Sequence, residues 1–198
     1  MYTHIREVVS QFVSDFTKEE LDLIEKNFYP KKLGKNEHLL HIGEVAKEVF
    51  FINKGIMRNY VPVVNKGQIT NYFAEESMFN TSAVSFFSQQ PSYEAVQAIE
   101  PCEGLAIQYE DLQKLYDRFH NWERLGRLFL QAILIQQYFV LRWFIEKSTN
   151  ERYESFLQTY PHLMQRIPQY HIASYLGITP ESLSRLRSRS QKVSTDKI

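Results

Sequence analysis

The chain has 198 residues, 43% apolar and 14% aromatic, with 23 Lys and Arg against 23 Asp and Glu and one cysteine. That length supports one large domain or two small ones with a real core. A single cysteine, Cys102, excludes an intrachain disulfide and any site built from several thiolates, such as a Cys-ligated iron–sulfur cluster or a zinc finger.

The N-terminus, Met-Tyr-Thr-His-Ile-Arg-Glu, lacks the basic and apolar regions of a signal peptide. No 18-residue apolar run is evident, so no membrane span and a cytoplasmic protein are expected. Residues 1–27 read as helix, with Ile5, Val8, Val9, Phe12, Val13 and Phe16 spaced for one apolar face. Thr17-Lys-Glu-Glu20 is a capping-box pattern that opens a second helix.

From Phe28 to Gln108, β-branched and aromatic residues come in short runs broken by Gly, Asn and Pro. Strands are expected over 28–33, 38–41, 48–53, 56–64, 68–74, 93–99 and 103–108. Asn65-Lys66-Gly67 suits a hairpin tip, and Asn53-Lys54-Gly55 marks another turn. Strands so short and evenly spaced suggest a jelly roll or barrel. Met78–Phe87 breaks the pattern and is expected to be a short helix.

The helical period returns at Tyr109, with a short helix over 110–119 and a long one from Asn121 to Lys147. Trp122, Leu125, Phe129, Ala132, Gln136, Phe139 and Trp143 form a heptad seam, expected as a dimer interface. The other reading is a central helix in a monomer. Apolar residues spread well beyond the seam, so the helix must be covered on most sides. A hinge follows at Ser148-Thr149-Asn150, then a helix over 150–160. Leu163–Ile167 is expected as a short strand of a wing. The last residues, 191–198, are polar and expected to fray.

Residues 167–189 read as two short helices joined by a tight turn. Pro168 suits a first helical turn, and Gly177 stops the first helix in a left-handed C-cap. Thr179 caps the second helix, Pro180 takes its first position, and Glu181 places a carboxylate in its first turn. Leu183 and Leu186 face inward; Ser182, Ser184, Arg185, Arg187 and Arg189 remain outside. Residues 150–198 hold 7 Lys and Arg against 4 Asp and Glu, a surplus of +3 on a body that is otherwise −3. A basic helix-turn-helix of this kind reads DNA. An ordinary helical hairpin with a solvated basic face is the plainer alternative.

Helical entry, small barrel, long helix and helix-turn-helix, in that order, resemble the Crp/Fnr family of bacterial transcription regulators. The sharpest match is Leu176-Gly-Ile-Thr-Pro-Glu-Ser-Leu-Ser-Arg-Leu-Arg187, supported by Gly43-Glu44, Phe50–Gly55 and Cys102–Gln108. The resemblance implies an α+β chain. Its parts are a jelly-roll (double-stranded β-helix) sensor domain over 1–120, a dimerisation helix over 121–147, and a winged helix-turn-helix over 148–198. It implies a homodimer on double-stranded DNA, with RNA polymerase and an unidentified small-molecule effector as further candidate partners. It places Glu181 and Arg185 at base edges, which suits Glu with cytosine N4 and Arg with guanine O6 and N7. A further base-reading Arg of the family is replaced by Pro180. Ser182 and Ser184 are candidates for base or phosphate contact, and Thr179, Arg187 and Arg189 for phosphate.

In nucleotide-binding members a Gly-Glu pair takes the ribose and a nearby Arg pairs with the cyclic phosphate. Here Asn80-Thr81 and Ser92 or Tyr93 occupy those places, and no Lys or Arg occurs between Lys66 and Lys114. A buried phosphate without a cation is poorly held, so cyclic AMP and cyclic GMP are not expected. Phe79, Asn80, Thr81, Ser82, Ser92 and Tyr93 are the candidate lining of a pocket for another effector; the alternative is that the aromatics simply fill the barrel. No haem ligand stands out, and no cofactor is expected.

His38, His41 and Glu44 suggest a metal set, but strand positions three apart point to opposite faces, so no metal is expected. No catalytic motif appears, and the chain is not expected to be an enzyme. The rival readings are a ligand-binding or protein-interaction barrel without DNA regulation, and a cupin-like metal enzyme. His171, on the first helix of the pair, is a candidate for a phosphate contact or a plain surface position.

Overall fold

The computed structural model describes residues 2–64 and 67–195, with side chains through Ser188; the Asn65-Lys66 part of the expected hairpin tip and residues 196–198 of the tail lie outside them. Helices α1 (Tyr2–Phe12) and α2 (Lys18–Asn27) open the chain. Their boundary is the expected capping box: the Glu20 N–H donates to Thr17 Oγ1 at 3.2 Å, and the Thr17 N–H donates to the Glu20 carboxylate at 2.9 Å.

Strands β1 (Tyr29–Leu33), β2 (His38–Leu40), β3 (Glu48–Lys54), β4 (Met57–Val63), β5 (Gly67–Ala74), β6 (Phe79–Asn80), β7 (Ala95–Ala98) and β8 (Cys102–Gln108) form two four-stranded sheets. Their orders are β1-β8-β3-β6 and β2-β7-β4-β5. β8 pairs antiparallel with both β1 and β3, and β7 with both β2 and β4. This is the expected jelly roll. In β3, Phe50, Phe51 and Ile52 are all fully buried. Alternation is lost there because α1 covers the outer face, with the His4 ring edge-on to Phe51 at 5.4 Å.

The segment expected as one short helix over Met78–Phe87 divides in two. Phe79 and Asn80 pair with Phe51 and Phe50, and only then does α3 (Ala83–Ser88) begin. Two residues are enough to cover the open edge of β3, but too few to show a period of two.

Helices α4 (Tyr109–Arg118) and α5 (His120–Glu146) follow, and Gly126 of α5 meets the Tyr116 ring so closely that a Cβ there would lie 2.6 Å from it. α5 revises the expected seam. Trp122 is 1% exposed and Leu125 is buried, both in the chain's own core. Phe129 packs on Phe12 at 4.5 Å and on Phe79 at 5.0 Å. Gln136 and Trp143, on the same face, are half-buried. At 100° per residue, the opposite face carries Leu130, Leu134, Tyr138, Leu141 and Ile145, all exposed, with Leu134 at 72%. Of the seven residues of the expected seam, only Ala132 and Phe139 are exposed in the single chain. α5 is also long and apolar enough, by length and composition, to cross a membrane, contrary to the expectation that no such segment exists.

The C-terminal helices are α6 (Thr149–Thr159), α7 (Leu163–Arg166), α8 (Gln169–Leu176) and α9 (Pro180–Thr195). Ser148 caps α6 through a capping box with Glu151. The wing strand expected at Leu163–Ile167 is α7 instead: Leu163 and Ile167 are both buried at i,i+4 spacing, and the Ile167 N–H donates to the Leu163 carbonyl at 2.9 Å. Among the described residues no strand follows β8. The chain divides into two compact units, one of residues up to Val61 with Tyr72–Leu134, the other of Pro62–Asn71 with the residues from Ile135 onward.

Candidate nucleic-acid interface

The second unit is built around α8 and α9. Tyr153 and Phe156 of α6, Leu163, Ile167, Ile172, Ala173, Leu176 and Leu183 are its buried hydrophobic side chains among the described residues. Gly177 takes φ +72°, and the Ile178 N–H reaches back to the Ala173 carbonyl at 3.0 Å, a six-to-one closure that ends α8. A residue with a Cβ would be strained in that left-handed conformation. Thr179 then caps α9: its Oγ1 accepts from the Ser182 N–H at 3.2 Å.

On α9, Glu181, Ser184, Arg185 and Ser188 are exposed and fall on one face by i, i+3, i+4 and i+7 spacing. Thr179 is exposed beside them, but its hydroxyl is engaged in the cap. Ser182 and Arg187 lie on the flanks and are half-buried, and Arg187 is close enough to the Tyr153 phenol to act on it electrostatically. The side chain of Arg189 lies outside the described residues. Ser188 belongs with the outward face and was missed; the same helical spacing counted onward from Glu181 would have found it. The Glu181 carboxyl is held below its ordinary range, first by its own backbone N–H, then by the Thr179 hydroxyl and the charge of Arg185. It is therefore an anion at neutral pH, an acceptor beside a cation. His171 is 4% exposed, which removes it from any phosphate contact; its ring stacks on Tyr170 at 4.0 Å.

The expected effector residues of the barrel do not share one surface. Phe79 packs between Phe51 at 4.8 Å and Phe129 at 5.0 Å, whereas Tyr93 is 82% exposed. Ser92 Oγ lies 3.0 Å from Ser82 Oγ and 2.7 Å from the Glu94 carbonyl, so both hydroxyls tie the ends of the α3 loop together. Thr81 donates to the Glu48 carbonyl at 2.9 Å. It alone of the six borders a cavity of about 600 Å³, with Leu39, Leu40, Glu44–Glu48 and Gln108. At its rim Glu48 is bonded by Lys31 and the Tyr29 hydroxyl; burial first, then Glu48, pushes that hydroxyl up to about 12. Deeper in the barrel, Asn59 Oδ1 and Asn80 Nδ2 are buried with no hydrogen-bond partner.

A register shift between His38 and Leu40 brings the His38 and His41 rings together at 4.4 Å, so they do not diverge as strand geometry predicts. His38 Nε2 meets the Tyr60 hydroxyl at 3.0 Å, and the Glu44 carboxylate accepts from the His41 backbone N–H. Burial, then His41 and Arg58, hold His38 below its ordinary pKa. Among the described residues no group of three or more side chains is arranged to hold a metal.

A jelly roll, a long helix and two short helices joined by a capped tight turn, the second with an outward polar face, follow one another along the chain. A family model described as the cyclic nucleotide-binding domain matches residues 30–119. The chain is 28% identical over 201 residues to the fumarate and nitrate reduction regulatory protein of Yersinia pestis, covering 93% of this chain and 78% of that one. In fold it is similar to FixK2 from Bradyrhizobium japonicum (TM-score 0.71, 18% identity, 84% of this chain and 86% of that one). It is also similar in fold to a regulator assigned to the Crp/Fnr family from Eubacterium rectale (TM-score 0.69, 17% identity, 90% and 85%). The chain is thus similar in sequence to a fumarate and nitrate reduction regulatory protein and in fold to a regulator assigned to the Crp/Fnr family.

Proposed function

We propose that this chain is a cytoplasmic homodimeric regulator that reads a near-palindromic operator through α9 and is not controlled by cyclic AMP. The outward face of Glu181, Ser184, Arg185 and Ser188 carries the reading, since it pairs a bidentate donor with an ionised acceptor on a capped, exposed helix. Two such helices, about 34 Å apart, enter successive major grooves. The bare stripe of α5 supplies the two-fold contact. Gln131, Gln137 and an Arg142–Glu146 ion pair at 2.7 Å border it, polar neighbours that suit a seam between helices better than lipid.

Independence from cyclic nucleotides rests on charge and on occupancy. No Lys or Arg lies between Lys66 and Lys114, and the serines at the ends of the α3 loop are spent on one another. The unpartnered Asn59 Oδ1 and Asn80 Nδ2, one acceptor and one donor, favour an uncharged effector. Calorimetry with cyclic AMP should show no binding at micromolar concentration; a micromolar Kd would overturn this part of the reading.

The whole reading is tested by selecting duplexes from a random pool with the wild-type chain and then measuring Arg185→Ala on the winner. Affinity should fall by about 5- to 150-fold, with relaxed preference at one base pair per half-site. Unaltered binding would show that α9 does not read the site through Arg185.

A further inference from the structure

β5 is the end strand of its sheet, and at its outer edge the Thr70 N–H and the Gln68 carbonyl flank Ile69. Those are the two groups that one residue of a parallel neighbouring strand would bond. Among the described residues no strand lies there. The hydroxyl of Ser174, on α8, takes both places: it accepts from the Thr70 N–H at 2.8 Å and donates to the Gln68 carbonyl at 2.9 Å. Thr70 is 2% exposed, so its N–H is shielded from solvent where the hydroxyl bonds it.

The placement gives the bond a consequence. Gln68 and Thr70 belong to the tip of the β4–β5 hairpin, which clusters with the helix-turn-helix, whereas β4 up to Val61 and β5 from Tyr72 belong to the barrel unit. The contact therefore lies within the second unit, between α8 and the end of a hairpin whose strands continue into the first. Only Gly177, Ile178 and Thr179 separate α8 from α9, so whatever fixes α8 also fixes the helix that carries Arg185. The contact leaves the outward face of α9 uncovered.

We propose that Ser174 is a positioning residue for DNA reading: its hydroxyl imitates a strand, straps α8 to the barrel hairpin and holds the recognition helix in its reading arrangement. This rests on the DNA-reading function proposed above. Ser174→Ala removes the strap without weakening the helix, since Ala is the better helix former. Ser174→Thr keeps the hydroxyl. Two readouts are taken on the full chain, amide hydrogen exchange across residues 68–70 and affinity for the duplex selected by the wild-type chain. In Ser174→Ala the exchange should quicken and affinity fall by about tenfold, as expected for a buried N–H left unpaired. Ser174→Thr should restore both.

Unchanged exchange in Ser174→Ala overturns the strap itself. Faster exchange with wild-type affinity overturns its role in positioning. If the wild-type chain enriches no duplex, the DNA-reading function fails instead, and the restraint is then judged by tryptic cleavage after Lys147 in the α5–α6 link. Faster cleavage in Ser174→Ala, reversed in Ser174→Thr, supports the strap, and equal cleavage overturns it.

Discussion

Glutamate at both Leu134 and Leu141 is expected to leave a folded monomer whose affinity for a specific duplex is lower by about 10²–10⁴-fold, because two linked half-site contacts gain that much from effective concentration and a monomer forfeits it. The two side chains are 72% and 58% exposed in the single chain, so the substitution removes no internal packing. In a dimer paired through this stripe, four carboxylates would enter one apolar seam, an arrangement with no compensating cation. Ala132→Glu is the control, since Ala132 is exposed but lies on the other face of α5. Sedimentation of both variants separates the faces. A monomeric Leu134/Leu141 variant with a dimeric Ala132→Glu places the seam on the bare stripe. The reverse result returns it to the heptad of Trp122–Trp143.

That α5 deceives a reader of the sequence has a physical cause. Apolar residues occupy nearly its whole circumference, so a period of 3.5 can be drawn along more than one face. What decides between the faces is long-range: Phe12 and Phe79, far apart in sequence, both settle on Phe129. Local chemistry was a better guide wherever an element is bounded by its own side chains. The Thr17–Glu20 box, Gly177 and Thr179 sit where capping rules put them. The seven expected strands were found with ends within two residues of where alternation placed them.

The misreadings elsewhere share a different cause. β6 is two residues long and exists only because β3 offers it an edge. Leu163 and Ile167 share a face in a helix turn and in a strand alike, and only the Ile167 N–H bond back to the Leu163 carbonyl decides between them. His38 and His41 meet because of a register shift that no residue type announces. The Ser174 hydroxyl bonds a backbone 104 residues away, and a serine inside a helix carries no mark of such a partner. At the candidate DNA face, the cap and the outward Arg and Glu were legible. The half-burial of Ser182 and Arg187 depends on how α9 packs, for Arg187 against α6, and was not.

The second large effect concerns the sheet that frames the barrel. Gly104 sits mid-strand in β8, opposite Lys31 of β1 on one side and Ile52 of β3 on the other. A Cβ built there would lie 2.0 Å from the Phe51 carbonyl oxygen and 2.7 Å from the Phe50 ring. Neither can yield cheaply: one is backbone and the other belongs to a fully buried side chain. Gly104→Ala must therefore push β3 away from β8 and loosen the ladder that joins them. Overpacking alone costs about 1–3 kcal/mol, and the disturbed ladder adds to it, so a loss near ~3 kcal/mol is expected. For a chain of this size that is a fall in Tm of roughly 6–12 °C. Gly43→Ala serves as the comparison: φ is +84° there but nothing lies within 4 Å of the added carbon. It should cost only the left-handed backbone term of about 1–2 kcal/mol. Thermal denaturation followed by circular dichroism ranks the two, and a Gly104→Ala chain that melts at or above the Gly43→Ala chain would mean that β3 and β8 do not approach as closely at Gly104 as described.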